Sequence, residues 1–304
     1  MDNHDATCAL TVDTLAIVGV GLIGGSFALA LKQAGLCRQV LGVGRRVQVL
    51  DEALRLGIID RAVSLKEAAA QADLIMIAAP VGAFADIFSA MKPHLSSHAI
   101  ITDGGSTKGN VVAAARACLG EKVGQFVPAH PIAGSHESGP AAAVADLYRD
   151  KHLIVCPLPE NSSKAVQGVR AAWQACGAKV LTLGIEQHDE VVAAISHLPH
   201  WLASLYMAHI AQSANAAVEL EIAGAGFRDF TRIAQGSEEM WRDIFLANRR
   251  AMLSQIDQLQ GWLDQARKAL DSEDGAWIES MLTRGAEVRR DWGQGRYQVE
   301  PGDE

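Results

Sequence analysis

At 304 residues, 49% of them apolar and 20% charged, the chain has the length for about two domains and an ample core. A formal net charge of −8 argues against nucleic acid as the main partner. Five scattered cysteines (Cys8, Cys37, Cys118, Cys156, Cys176), odd in number and without CxxC spacing, support neither a disulfide frame nor a zinc knuckle. The opening Met1-Asp-Asn-His-Asp5 is acidic and has no apolar run, so no signal peptide is expected and the cytoplasm is the expected compartment.

The first element is the most informative. Leu15-Ala-Ile-Val is an apolar strand that runs into Gly19-Val-Gly21-Leu22-Ile23-Gly24 and then an Ala/Leu-rich helix. Gly19 permits a tight turn, Gly21 lets backbone approach a pyrophosphate, and Gly24 lets the helix lie close to the strand. The helix N-terminus then offers unpaired N–H groups to the phosphates. A membrane span is the other reading of the uncharged stretch Leu15–Leu31, but its glycines and its shortness argue against one, and no membrane partner is expected.

Further strands are expected at Val40–Val43, Leu74–Ala78, Ala99–Thr102, Phe126–Pro128, Leu153–Cys156 and Lys179–Leu183. Helical stretches such as Ser26–Ala34, Val47–Leu56, Val81–Met91, Gly109–Cys118 and Ser163–Cys176 alternate with them, which predicts a parallel sheet with helices on both faces. From about Glu186 the strand signal disappears. Helices are expected over Asp189–Ser213, Glu238–Leu270 and Gly275–Trp292, with a break around Gly224–Gly226. Leu246, Leu253, Ile256, Leu259 and Leu263 form a stripe at helical spacing, suited to packing within a helical domain or against a second copy. The fold class is therefore an α/β Rossmann-type dinucleotide-binding domain (1–185) followed by an all-α substrate and dimerisation domain (186–304). The polar tail Gln298–Glu304 is expected to fray.

In an NAD site the second strand ends in an acidic residue that holds the ribose hydroxyls. Here Val40-Leu-Gly-Val-Gly44 is followed by Arg45-Arg46, and no carboxylate stands there. Paired guanidiniums suit the extra phosphate of NADP, so NADP is preferred over NAD, with dual use open. A solvated pair of charges is the plainer reading, but cations sit poorly at a helix N-terminus without an anion. Ala79 and Pro80, after the strand from Leu74, and Gly105 in the next loop complete the expected cofactor contacts.

Ligands in open α/β sheets bind beyond the carboxyl ends of the strands. Two loops there are rich in chemistry: Thr102-Asp-Gly-Gly-Ser106-Thr-Lys108-Gly109 and Pro128-Ala-His130-Pro131-Ile-Ala-Gly134-Ser135-His136-Glu137. The first puts a hydroxyl and a cation in a flexible turn opening a helix. The second pins His130 between prolines, where an imidazole can accept an alcohol proton during hydride removal. Ser106 or Thr107 serves equally as a helix cap, and His130 as a turn residue.

Together the glycine fingerprint, the Asp-x-Gly-Ser-Thr-Lys loop and the His-Pro-Ile-Ala-Gly-Ser loop resemble the prephenate/arogenate (cyclohexadienyl) dehydrogenases of tyrosine biosynthesis. The resemblance continues through His188-Asp-Glu, Ser196-His-Leu-Pro-His200, Phe227-Arg-Asp229-Phe-Thr-Arg232 and Met240-Trp-Arg-Asp243. It implies a small-molecule cyclohexadienol substrate whose ring hydroxyl gives its proton to His130, with Ser106 sharing that hydroxyl. It implies that Arg232 binds a substrate carboxylate, that His200 and His188 belong to the substrate pocket, and that Gly134 and Ser135 line it. Asp229, three residues before Arg232, would share a helix face and fix the guanidinium. It also suggests a homodimer built on the helical domain. His197 and His200 lack a third ligand at metal spacing, so no metal is expected. His136 stands where many relatives carry an acidic residue, which leaves prephenate against arogenate open.

Two other readings are weaker. A β-hydroxyacid or imine-type NADP oxidoreductase of the first kind usually relies on a lysine in its helical part, and Glu186–Arg267 contains none. A non-catalytic NADP-sensing regulator would have lost His130, Ser106 or Arg232, and all three stand.

Overall fold

The computed structural model describes residues 12–134 and 137–297. The expected Ser135 contact, His136, Cys8 and the expected frayed tail lie outside the described residues. The chain divides into two compact units, one running to Val191 and including Arg232–Asn248, the other made of Val192–Thr231 and the chain from Arg249 onward.

In the first unit, strands and helices alternate as β1 (Val12–Val18), α1 (Leu22–Gln33), β2 (Cys37–Val43), α2 (Val47–Arg55), β3 (Arg61–Ala62), α3 (Leu65–Gln71), β4 (Leu74–Ile77), α4 (Phe84–Met91), β5 (Ile100–Asp103), α5 (Gly109–Leu119) and β6 (Phe126–Val127). The six strands form one sheet in the order β3-β2-β1-β4-β5-β6, parallel throughout. Side chains alternate between two cores. Leu15, Ile17, Leu74 and Met76 join Phe27, Leu31 and Trp173 on one face, while Ala16, Val18, Ile75 and Ile77 join Phe84 and Phe88 on the other. Burial on both faces is why these strands read as unbroken apolar runs. The strand order reverses between β1 and β4, which opens a crevice at their carboxyl ends.

The short elements β3 and α3 are not among the elements named from the sequence. Helix α3 carried a readable signal, a reciprocal capping box between Ser64 and Glu67.

Expectation and structure also part at the end of the sheet. The strands expected from Leu153 and Lys179 do not extend the parallel sheet; they are β8 (His152–Val155) and β9 (Lys179–Thr182), separated by α6 (Ser163–Ala175). With β7 (Ala129–Pro131) they form a second sheet, in which β7 runs antiparallel to β8. The cause lies at Pro128, which has no N–H to donate. The next residue, Ala129, gives its N–H to the Asp103 side chain at 2.9 Å, and the chain leaves the ladder. His130 is thus a strand residue in register with Ile154, not a loop residue.

After β9 come α7 (Ile185–Val192), α8 (Leu198–Ala211), α9 (Ala216–Glu221), α10 (Ala225–Thr231), α11 (Glu238–Ala247), α12 (Arg249–Asp271) and α13 (Gly275–Gly293). Ala193–His197 forms a π-turn directly before Pro199. A proline at that point removes a donor from the helical ladder and crowds the carbonyl four residues back, so the wider turn relieves it. The stretch Ile185–Ala211 is long and apolar enough to cross a bilayer by length and composition alone. It carries three buried histidines, His188, His197 and His200, and exposes Ile195, Leu205 and Tyr206. The helix expected over Glu238–Leu270 is broken at Asn248, whose side-chain amide donates to the Asp189 carbonyl at 2.8 Å.

The second unit is thinly covered. Tyr206 packs on Phe227 and Phe230, with ring centroids 5.9 and 5.8 Å apart. Leu253, Trp262, Leu263, Leu282 and Trp292 are exposed. A 450 Å³ groove is lined by Leu198, Trp201, Leu205, Ile256 and Leu259, and a 700 Å³ groove by Trp262, Trp277, Met281 and Val288.

Candidate active site

The glycines of the β1–α1 turn each do a different job. Gly19 has φ +99°, and a Cβ there would lie 2.3 Å from the Ala78 carbonyl oxygen, so the turn closes on β4 only without a side chain. A Cβ on Gly24 would meet Ile17 at 2.6 Å, which is the close helix–strand approach. Gly21 faces open space, with nothing within 4 Å of where its Cβ would stand. It caps α1 with no side-chain hydrogen bond, so the helix N-terminus presents main-chain N–H groups beside a cleared surface. That is a fit for a pyrophosphate. Leu22 and Ile23 are half-buried in the first turn, and the Ile23 carbonyl accepts the Tyr148 hydroxyl at 2.5 Å. Arg45 and Arg46 are exposed where β2 meets α2, and Arg46 caps α2 without a side-chain bond. Ala79 and Pro80 follow β4.

The loop after β5 joins this crevice to the strand of His130. A methyl group on Gly104 would lie 3.0 Å from Ile23 Cγ2 and 3.7 Å from Pro131 Cδ. Gly105 donates its N–H to Asp103 at 2.9 Å. Lys108 corrects the sequence reading: it is no mobile cation in a flexible turn. Its side chain is fully buried, paired with the carboxylate of Asp103, and donates to the Ala129 carbonyl at 2.8 Å. Neither Ser106 nor Thr107 caps α5. Thr107 donates to Asn110 instead, and Ser106 sits half-buried at the bend.

The cap comes from far away in sequence. Asp189 accepts the main-chain N–H groups of Lys108 and Gly109, each at 2.8 Å. The same carboxylate meets His188 Nδ1 at 2.8 Å, and His188 Nε2 meets His130 Nδ1 at 2.8 Å. The tautomers follow from this network. An ionised Asp189 takes a proton only from His188 Nδ1–H, so His188 Nε2 is an acceptor and His130 donates through Nδ1–H. The basic atom of His130 is then Nε2. Burial, the largest influence, holds the His188 imidazole below its ordinary range, which keeps it neutral. Burial alone would raise the Asp189 carboxyl, but the hydrogen bonds from His188, Lys108 and Gly109 outweigh it and hold it below the usual carboxylate range.

The remaining expected site residues fall as follows. His200 and His197 are buried in the second unit, and burial lowers the His200 imidazole. Arg232 is exposed and opens a 3₁₀ turn, whereas Asp229 lies in α10, which ends at Thr231. The 3₁₀ turn follows α10 without a break, so Asp229 and Arg232 stand three residues apart on one continuous helical path. Gly134 is exposed. Among the described residues no cluster of three or more His, Cys, Asp or Glu side chains could hold a metal. Asp103, Lys108, Gly109 and Asp189 are the residues that the sequence reading left out of the site. The Asp–Lys spacing in a loop after a strand was visible, but nothing local signals partners 21 and 81 residues away.

A dinucleotide crevice beside an imidazole relay defines a Rossmann-type dehydrogenase with a helical second unit. Two family models cover most of the chain: "Prephenate dehydrogenase, nucleotide-binding domain" over residues 27–182, and "Prephenate dehydrogenase, dimerization domain" over residues 185–284. The prephenate dehydrogenase of Bacillus subtilis is 36% identical over 86% of this chain and 71% of its own. The cyclohexadienyl dehydrogenase of Zymomonas mobilis is 32% identical over 87% of this chain and 90% of its own. Among solved structures, the prephenate dehydrogenase of A. aeolicus, in complex with hydroxyphenyl propionate and NAD+, superimposes with a TM-score of 0.87. It is 32% identical, over 93% of this chain and 99% of that one. The arogenate dehydrogenase of Synechocystis gives 0.80 at 25% identity, over 92% of this chain and 99% of that one. This chain belongs to the prephenate dehydrogenase family.

Proposed function

We propose that this protein catalyses the NAD(P)-dependent oxidative decarboxylation of prephenate, arogenate or both, the step that yields 4-hydroxyphenylpyruvate or tyrosine. The observation that carries this reading is the Asp189–His188–His130 relay, joined to the dinucleotide crevice through Gly104. Residues 1–185 are assigned to the dinucleotide and 186–304 to substrate and assembly.

The residues suited to the dinucleotide are Gly19, Gly21, Leu22, Ile23 and Gly24 around the pyrophosphate, with Ala79, Pro80 and Gly105 lining the crevice. When bound, the nicotinamide accepts the hydride that leaves the ring carbon bearing the hydroxyl. His130 Nε2 takes the hydroxyl proton as charge builds on that oxygen, the ring carboxylate leaves as carbon dioxide on aromatisation, and the imidazolium returns the proton to the phenolate oxygen. His188 and Asp189 hold His130 in the accepting tautomer and stabilise the imidazolium that forms. Ser106 is assigned to the substrate hydroxyl and Arg232 to a carboxylate, which its planar fork suits, and His200, Gly134 and Ser135 are assigned as further substrate contacts. Arg45 and Arg46 tip the cofactor choice to NADP, because exposed guanidiniums at a helix N-terminus with no side-chain cap suit an added 2′-phosphate.

The partner of the second unit is a second copy of the chain. Its apolar residues, Leu253, Trp262, Leu263, Leu282 and Trp292, are more exposed than a lone folded unit tolerates in water. A reducing cytoplasm suits the four described cysteines, all of them thiols.

The test is reduction of NAD+ and NADP+ with prephenate and then with arogenate. Turnover with at least one substrate is expected; none with either overturns the reading. Dinucleotide binding without turnover would instead fit a sensor.

A further inference from the structure

We infer that the Asp103–Lys108 ion pair is a positioning device for His130, acting through the backbone of Ala129. The two charges are fully buried and converge on that one residue. Asp103 Oδ1 accepts the Ala129 N–H at 2.9 Å, and Lys108 Nζ donates to the Ala129 carbonyl at 2.8 Å. In the β7–β8 ladder the Pro128 carbonyl accepts from Cys156, and Ile132 donates to the His152 carbonyl. By antiparallel alternation the polar groups of Ala129 point to the opposite edge, where β7 has no paired strand among the described residues. The ion pair takes the place of that strand.

Lys108 acts on His130 from two directions. Its side chain holds the residue before His130, and its main-chain N–H donates to Asp189, which orders His188 against His130 Nδ1. The contacts close a ring: Lys108, Ala129, His130, His188, Asp189 and back to Lys108. A shift of Lys108 therefore moves the backbone and the ring partner of His130 together. A buried ion pair is in general weak evidence for stability, so what these charges supply beyond it is partners for the two main-chain groups of Ala129. An apolar pair could not hold both polar groups of Ala129. Gly105 makes the arrangement possible, since a Cβ there would stand 2.8 Å from Asp103 Oδ2.

The kinetic arm of the test rests on the proposed dehydrogenase activity; the spectroscopic arm does not. Lys108→Met and the double variant Asp103→Asn with Lys108→Met are compared with the full-length wild type. The double variant buries no lone charge and carries the test if the single one does not fold. The stoichiometry of dinucleotide binding, measured by titration, counts the folded molecules. We expect kcat per folded molecule to fall roughly 10- to 100-fold, the usual effect of a small misplacement, with substrate KM within about twofold. Imidazole ¹⁵N NMR should show His130 Nδ1-protonated in the wild type and averaging between tautomers in the variant. If kcat stays within about twofold of wild type while stability falls, the pair is only a structural weld and the inference is overturned. Should wild type turn over neither substrate, the tautomer spectrum decides alone: an unchanged His130 signal in the double variant overturns the inference, and a changed one supports it.

Discussion

The carboxylate of Asp189 accepts the main-chain N–H of Gly109 at 2.8 Å, so a residue of α7 caps α5 across 80 positions of sequence. A Cβ on Gly109 would lie 2.9 Å from that carboxylate, which explains why the helix opens on glycine. One carboxylate thus ends a helix and sets a tautomer. Asp189→Asn separates the two roles. An amide still accepts one N–H, so stability should fall by only about 1 kcal/mol. Its NH₂ faces His188 Nδ1 and favours the wrong tautomer, so kcat should fall roughly 10²- to 10⁴-fold. Denaturant melts and steady-state kinetics on the same sample check both, and an unchanged kcat refutes the relay.

Acid should loosen this site before it unfolds the rest. The folded state holds His188 below the ordinary imidazole value of 6.5 and Asp189 below 3.8. The unfolded chain therefore binds protons at higher pH than the folded one at both groups. Stability is present above these values and is lost as pH falls, first through 6.5 for His188 and then through 3.8 for Asp189. Melting temperatures measured between about pH 8 and 5 should decline toward acid, and His188→Asn should decline less steeply. Equal slopes for the two proteins would remove His188 from this account.

Two neighbouring glycines should fail in different ways. Gly19→Ala forces a side chain into a positive φ and against the Ala78 carbonyl, and should destabilise the fold by several kcal/mol. Gly21→Ala meets no protein atom, so its melting temperature should hold while dinucleotide affinity drops about tenfold or more. Full affinity in Gly21→Ala would mean the pyrophosphate lies elsewhere.

Cofactor preference is tested at the end of β2. On the proposed NADP reading, replacing Arg45 and Arg46 by alanine should raise KM for NADP+ about tenfold or more while KM for NAD+ stays within about twofold, because only the extra phosphate would lose its partners. Equal change for both cofactors would show that these arginines read something common to the two.

The proposed base and the proposed carboxylate clamp should separate kinetically. His130→Asn should keep dinucleotide binding and lose roughly 10²- to 10⁴-fold in kcat. Arg232→Leu should act mainly on substrate KM, since it removes a contact made before the transition state. A kcat effect confined to Arg232 would reverse the two assignments.

Local patterns carried much of this molecule. The Leu15–Gly25 strand, turn and helix could be read directly because each glycine answers a demand set within a few residues. The helices after Glu186 were legible from their 3.6-residue repeat, since burial of one stripe is itself periodic. Other features depend on residues far apart in sequence. Lys108 reads from its loop as a cation in a flexible turn, and only Asp103 and Ala129 enclose it; Ser106 or Thr107 reads as the cap, and only the fold brings Asp189 to that place. Pro128 and Pro131 bracket His130 in the sequence, but only the pairing of β7 with β8 decided that His130 stands on a strand. Short-range sterics and apolar periodicity are written into neighbouring residues. The pairing of buried charges and hydrogen-bonding groups is fixed only when the packed chain excludes water and each group must find a partner from whatever segment lies beside it.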